Sequence, residues 1–468
     1  MKKLDTEGAF NEIFGDQKTE EAERPQKTIQ DEKIVVGLDI GATKVVCIVG
    51  KKTKDETIMV LGYGECASEG IKLGSITNMA DVIESVRTAV EQASELSGVE
   101  IHSVNLGITC RHLRNLRYRG VLMRDNHETE ITEAELERLR NDTFKINMTP
   151  GEEIIDVIRQ DTYVDGELAI NPVGMLGSKI EANFHVIIGQ TSAAKNILKC
   201  IENVGLEVER VVLSSVASSK AVLTKEEINK GVVLLDIGGD TTDLAVFKKN
   251  KIQLVAVIPF GGNIITEDIC TGCHTLKRYA EEVKVKFGSA LAGENRDDEV
   301  IVIPGNPPKE ISFKSLAHII QARLEEIFEL VNFEIQKAKS ENQLIAGIVL
   351  TGGGAMMRHI QQLAEFMTGL DVRIGYPNEQ IVLTVNDLAS PKYATCIGLV
   401  IEGFNRREVD SVKKQGLKKE IYVEGFDKRD NKKKVEEEQS IMNQELDESD
   451  LLSSDSKLKG WLKRIVRK

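Results

Sequence analysis

The sequence predicts an α/β protein built from two related halves, and three observations predict it. Between residues about 32 and 404, short apolar runs of strand character alternate with stretches of helical period. Two of those runs, KIVVGLDIGATKVVCIVG at 33–50 and GVVLLDIGGDTTDLAVF at 231–247, share one plan: apolar strand, Asp-Ile-Gly, small polar turn, apolar strand. A third run, AGIVLTGGGAMM at 346–357, also ends in a glycine-rich turn. A β-hairpin used twice, each copy with helices after it, is how a duplicated domain reads in one dimension. The 468 residues exceed what one ordinary core holds, which agrees with two or more domains.

Along the chain, residues 1–31 are polar, charged and without period, and disorder is expected there. Two lysines near the start have no apolar stretch behind them, so no signal peptide is expected. No run approaches about 18 apolar residues, so no membrane span is expected. The net charge of −13 argues against a broad nucleic-acid surface. Seven scattered cysteines show no disulfide framework, which fits a reducing cytosol. Residues 405–456, with KKKVEEEQS and NQELDESD, read as a flexible charged linker with a short strand possible at 419–423.

The glycine-rich turns carry the chemistry. A nucleoside triphosphate needs backbone N–H groups converging on its oxygens, and glycine lets the backbone come close. Gly41, Ala42, Thr43 and Lys44 supply one such turn, with a hydroxyl and an ammonium at its tip. Gly238, Gly239 and Thr241 supply a second, and Gly352, Gly353 and Gly354 can lie flat against an adenine or ribose. Asp39 and Asp236 end the two preceding strands in equivalent places. Two carboxylates facing one cleft suit a hydrated Mg²⁺, so both are metal and catalytic candidates. Neither GxxxxGK[ST] nor GxGxxG between strand and helix is present, which excludes a P-loop and a dinucleotide fold. The Cys270–Cys273–His274 pattern matches CxxCH, but no second CxxC accompanies it and ordinary turn residues are expected. His102, His112, His127 and His185 read as structural.

The motif order resembles that of the actin/Hsp70/sugar-kinase superfamily. Within it the chain is similar to the FtsA family of bacterial cell-division proteins, on LDIGATKVVCIVG, VVLSSVASSKAVLT (211–224), VIPFGGNIITEDI (257–269) and AEEVKVKFGSAL (280–291). The likeness runs from about 33 to 404. It implies an actin-like, ribonuclease H-like two-domain ATPase fold with ATP and Mg²⁺ in the cleft. By the resemblance 41–44 is phosphate 1, 236–243 phosphate 2 and 351–355 the adenosine motif. Glu281 and Lys284, at i and i+3 on one helix face, are placed at ribose hydroxyls. The implied subdomains are 1A (32–109 and 191–225), an inserted 1C (110–190), 2A (226–262 and 332–404) and 2B (263–331). In the insert, ETEITEAELERLR reads as a helix capped at Thr132 with Glu135 three residues on.

The last segment, KLKGWLKRIVRK at 457–468, differs from all before it. Leu458, Trp461, Leu462, Ile465 and Val466 form one helical stripe, and Lys463 and Arg464 with four further basic residues occupy most of the rest. That is the pattern of an interfacial membrane helix, and the resemblance places a membrane-targeting helix here. The resemblance further implies a protein on the cytoplasmic face of the inner membrane at the septum. There it polymerises with itself, tethers FtsZ through 2B, meets other divisome proteins through 1C, and at most hydrolyses ATP slowly. A small-molecule kinase of the ROK type and a PilM-like adaptor of another machine are the alternatives, and neither is expected to end in such a tail.

Overall fold

A computed structural model describes residues 34–407, apart from 54, 56, 111, 295–299, 304–307, 338–343, 379–380 and 383–385. The predicted extension at 1–31, the linker from 408, the strand at 419–423 and the amphipathic tail lie outside the described residues.

Strand β1 (Ile34–Ile40) is apolar over most of its length, and it pairs antiparallel with β2 (Lys44–Lys52), which pairs antiparallel with β3 (Ile58–Ala67). On its other side β1 runs parallel to Ser103–Ile108, which runs parallel to Glu207–Leu213. The second large sheet repeats this plan. Val232–Ile237, Thr242–Lys248 and Lys251–Ile258 form an antiparallel meander, and Val232–Ile237 then runs parallel to Ile348–Thr351, itself parallel to Val372–Ile374. The order and directions are the same, so the repeat legible in the two Asp-Ile-Gly hairpins extends to five strands of each sheet. Each central strand is buried on both faces, which is why these runs are continuously apolar rather than alternating. The architecture is the expected actin-like one.

Helix α1 (Met79–Ser97) begins where the Asn78 side chain accepts the Ala80 N–H (3.1 Å) and ends on Gly98 at φ +66. It buries Val82, Val86, Ala89 and Ala93 against the first sheet. Gly64 on β3 permits the close approach, since a Cβ there would lie 1.9 Å from the Ala89 carbonyl oxygen.

Between Ile108 and the helix Thr191–Val204 the chain leaves the first sheet to build an antiparallel one. Its order is Arg114–Met123, Lys179–Gln190, Glu152–Val164, Glu167–Ala169. Helix α2 (Glu133–Thr143) backs it over a separate core containing Ile131, Leu136, Leu139, Val157, Ile180 and Phe184. The capping pattern at Thr132 holds: its N–H donates to Glu135 Oε2 (2.8 Å). The insert also reaches the second half, covering the edge strand Lys251–Ile258. Asn115 Nδ2 donates to Val255 O (2.7 Å) and Asn115 Oδ1 accepts the Val255 N–H (3.2 Å). His185 Nε2 lies 2.8 Å from the same Oδ1. Its ring is buried and its pKa is pushed down to about 4 by burial and by Arg117, so this histidine stays neutral and structural.

In the second half, the helix Phe313–Lys337 buries the stripe Leu316, Ile320, Leu324, Ile327, Phe328, Val331 and Ile335, as its period predicts. Among the described residues no helix is long and apolar enough to cross a membrane.

Candidate functional site

Asp39 and Asp236 are the next-to-last residues of β1 and of Val232–Ile237, in matching registers: Asp39 faces Val46 and Gly107, and Asp236 faces Asp243 and Thr351. The turns that follow close in the same way, Gly41 N–H on Lys44 O (3.0 Å) and Gly238 N–H on Thr241 O (2.8 Å). The two turns touch. A Cβ on Gly239 would lie 2.4 Å from Thr43 Cγ2, so only glycine lets them meet. The third turn joins them. Gly352 adopts φ +83, and a Cβ there would stand 2.3 Å from Asp236 Oδ1 and 2.6 Å from Ile237 O. Gly354 packs on the Ile237 side chain, while Gly353 faces open space. The structure therefore brings together the three glycine-rich turns that the sequence scatters over 300 residues.

The stretch after Lys251–Ile258 seals one side. Gly262 and Asn263 donate backbone N–H groups to Gly238 O (2.9 Å) and Gly239 O (2.7 Å). Asp240 accepts from Asn263 Nδ2 (2.7 Å) and, across to the first half, from the Leu73 N–H (2.7 Å), so it shapes its turn and ties the halves. Glu281 and Lys284 lie on the helix Lys277–Phe287 and face this stretch. They are not a solvated surface pair. Lys284 is buried, and its ammonium donates to Gly262 O (2.9 Å), Thr266 Oγ1 (2.8 Å) and Glu281 Oε2 (2.7 Å). With three donors engaged, the pair offers a ligand only the half-exposed Glu281 carboxylate.

Asp243, on the strand that follows the second turn, belongs to the same carboxylate cluster. Seven residues after Asp236 in a tight hairpin, it pairs directly across the ladder, a register that was readable from the spacing. Asp236 and Asp243 are buried and Asp39 lies half-buried beside them. Burial pushes the Asp39 carboxyl up to about 6, with Lys44 opposing and Asp236 adding to the rise. Burial, then the charges of Asp236 and Asp39, push Asp243 up to about 8 against the Thr109 hydroxyl, which donates at 2.8 Å. Burial also raises Asp236, although the Ser218 (2.6 Å) and Thr395 (3.0 Å) hydroxyls donate to its Oδ2. Asp243 Oδ1 is buried without a hydrogen-bond partner among the described residues. Three carboxylates and an orphaned oxygen form a set that fits a cation. Among the described residues no group of three or more His, Cys, Asp or Glu is placed to hold a metal ion by itself.

These shifts predict an unusual pH profile. The folded Asp243 and Asp39 hold protons above the ordinary value 3.8, so the unfolded chain binds fewer protons through that window. Stability of the metal-free, nucleotide-free protein should fall as pH rises from about 4 to 8, by up to roughly 1.4 kcal/mol per pH unit for each proton lost. Asp243→Asn should flatten the upper part of that fall, between about 6 and 8. Thermal melts in chelator across this range check it, and a profile that Asp243→Asn leaves unchanged would contradict it.

Comparison with known proteins bears on about four-fifths of the chain. The model of "Cell division protein FtsA" matches residues 233–398, and that of the "SHS2 domain inserted in FTSA" matches 111–188, the inserted sheet and helix. "Cell division protein FtsA" of Pseudomonas aeruginosa is 36% identical over 385 residues, covering 81% of this chain and 91% of that one. Its namesake from Neisseria meningitidis is 37% identical over 377 residues, covering 79% and 90%. Among solved structures, the PilM-PilN type IV pilus biogenesis complex matches with a TM-score of 0.57 at 16% identity, covering 79% of this chain and 98% of that one, a likeness of fold. With more than a third of positions identical over four-fifths of its length, the chain belongs to the FtsA family of cell-division proteins.

Proposed function

We propose that this cell-division protein binds Mg·ATP between its halves, assembles on itself and ties FtsZ filaments to the cytoplasmic face of the inner membrane at the septum. The observation that carries the nucleotide reading is the convergence of three glycine-rich turns on three carboxylates. Backbone N–H groups at Gly41, Ala42, Gly238 and Gly239 would hold phosphates, with Thr43, Lys44 and Thr241 adding side-chain contacts. The turn at Gly352–Gly354 would take the adenosine and Glu281 a ribose hydroxyl. Asp39 and Asp236, with Asp243 behind them, would hold the waters of Mg²⁺, which would supply charge neutralisation for the phosphates. No histidine stands at either turn to act as a strong base, which supports slow turnover at most.

FtsZ docks, in this reading, on residues 263–331, and other divisome proteins on the insert. Charge reversal at Arg323, on the helix Phe313–Lys337, is a poor probe of this surface. Arg323 is bound to both Asp268 oxygens (2.6 and 3.0 Å) and to Glu326, so reversing it would break a structural pair. On the hairpin Val300–Ile303 with Lys309–Ser312, Val300 and Val302 point outward while Ile301 and Ile303 are buried. Val302→Glu is expected to weaken binding of the FtsZ C-terminal peptide about tenfold or more, the range of an interface anchor, in a fluorescence anisotropy titration. Undiminished binding after exchange of the whole 263–331 subdomain would place the site elsewhere.

A further inference from the structure

Residues 390–396 touch the first and third glycine-rich turns and the Asp236 carboxylate that precedes the second. The Pro391 carbonyl accepts from the Gly352 N–H (3.2 Å) and Thr351 Oγ1 (3.3 Å). Thr395 donates to Asp236. The Lys392 carbonyl accepts from the Lys44 ammonium, which also lies 4.3 Å from the centroid of the Tyr393 ring. That ring is fixed at both ends. Its hydroxyl donates to Glu65 Oε2 (2.6 Å), and its edge meets Tyr63 with centroids 6.3 Å apart at 68°. Tyr393 is only 2% exposed. Tyr63 and Glu65 come from β3, Lys44 from β2, and Tyr393 from the short turn Pro391–Tyr393 that opens the helix over 394–407.

We propose that Tyr393 is a positioning residue for Lys44: its ring, clamped by Glu65 and Tyr63, fixes the ammonium beside the first glycine-rich turn, where it meets the phosphates of a bound nucleotide. The inference rests on the nucleotide reading above. A lysine side chain has four rotatable bonds, and fixing it costs rotamer entropy that a single carbonyl contact does not offset well. An aromatic face holds a cation without stripping all of its water, and in a partly buried place the contact is strong. The surroundings leave the ammonium in need of such a partner. Burial lowers the Lys44 pKa, and Lys392, whose own ammonium lies 4.5 Å from the same ring centroid, lowers it further. Asp39 and Glu65 oppose this. Glu65 does two jobs, holding the Tyr393 hydroxyl and standing 3.7 Å from the Lys392 ammonium to balance the second charge.

The test uses full-length protein and two ligands, ATP and adenosine. Tyr393→Leu should weaken ATP roughly 3–10-fold, the size of a cation–π contact, and leave adenosine unchanged, because adenosine has no phosphate for Lys44 to meet. Tyr393→Phe, which keeps the ring, should restore most of the ATP affinity. In a Lys44→Met background, Tyr393→Leu should have no further effect on ATP, whereas additive losses would mean that the ring acts apart from Lys44 and would overturn the proposal. Equal losses for ATP and adenosine would show a merely structural role. A second readout needs no nucleotide. With lysines ¹³C-methylated, the Lys44 signal should be shifted upfield by the ring in wild type and Tyr393→Phe, and should move back in Tyr393→Leu. If Tyr393→Leu does not fold, Tyr393→Met, which fills the site without a ring, should move the same signal. A Lys44 signal that lacks the upfield shift in wild type, or that stays unmoved by loss of the ring, would sink the proposal. A wild type that bound no ATP would instead sink the nucleotide reading, with the methyl signal still deciding where Lys44 is held.

Discussion

Trp461→Glu is expected to release the protein from anionic vesicles while leaving its ATP affinity intact. In KLKGWLKRIVRK the tryptophan sits in the middle of the stripe Leu458, Trp461, Leu462, Ile465, Val466, flanked by six basic residues. Burying one large apolar side chain is worth about 1.5–3 kcal/mol when complete, and each basic residue near an anionic surface adds about 1 kcal/mol. Removing the central anchor and setting a negative charge in its place should therefore lower partitioning roughly 10- to 100-fold. One tail binds weakly and reversibly on this reckoning. If the proposed self-assembly holds, several tails on one polymer would bind far more tightly through effective concentration, and assembly of the body would control attachment. Trp461 is the only tryptophan in the chain, so intrinsic tryptophan emission reports on this segment alone. A blue shift with anionic vesicles, reduced at high salt, is the expected result. An emission maximum that stays put in a folded sample would assign the stripe to a protein partner.

The parts of the site that the sequence displayed are those made by local repetition. Two Asp-Ile-Gly hairpins announce themselves because a buried central strand must be continuously apolar and a tight turn against a ligand needs glycine. The same local logic located α2 from Thr132 and Glu135. What stayed hidden depends on contacts between segments far apart in the chain. Thr109 reaches Asp243 across 134 positions, Thr395 reaches Asp236 across 159, and Lys44 meets Lys392 across 348. No periodicity encodes such pairings, which arise only when the two halves pack. The segment SPKYATC at 390–396 shows this most clearly, since nothing in it resembles a nucleotide motif, yet it joins the first and third turns and Asp236. Lys284 is a related case: its spacing from Glu281 was correct for one helix face, but the face turned inward, against Gly262 and Thr266. Arg323 likewise lies on the flank of the helix Phe313–Lys337, and its partner Asp268 comes from another helix.

The central claim is that the three turns and their carboxylates form one Mg·ATP site, and Asp236 is where they meet. Its Oδ1 lies against Gly352 of the third turn, its Oδ2 accepts the Ser218 and Thr395 hydroxyls, and its ladder partner is Asp243. Without a cation, burial raises the pKa of all three carboxyls and the charge of Asp236 raises those of Asp39 and Asp243 further, so the protein alone gains little from ionised Asp236. With a cation shared between phosphate and protein, the same charges become attractive. Asp236→Ala should therefore act with opposite signs on the two states: little loss of stability, or even a gain, without ligand, and a large loss of Mg·ATP affinity. Calorimetric titration of ATP into wild type and Asp236→Ala, with Mg²⁺ and with chelator, measures this most directly. The expected result is a roughly 10- to 100-fold weaker affinity of the variant in Mg²⁺, equivalent to about 1.4–2.8 kcal/mol, and a much smaller difference in chelator. Equal affinities of wild type and variant in Mg²⁺ would contradict the account.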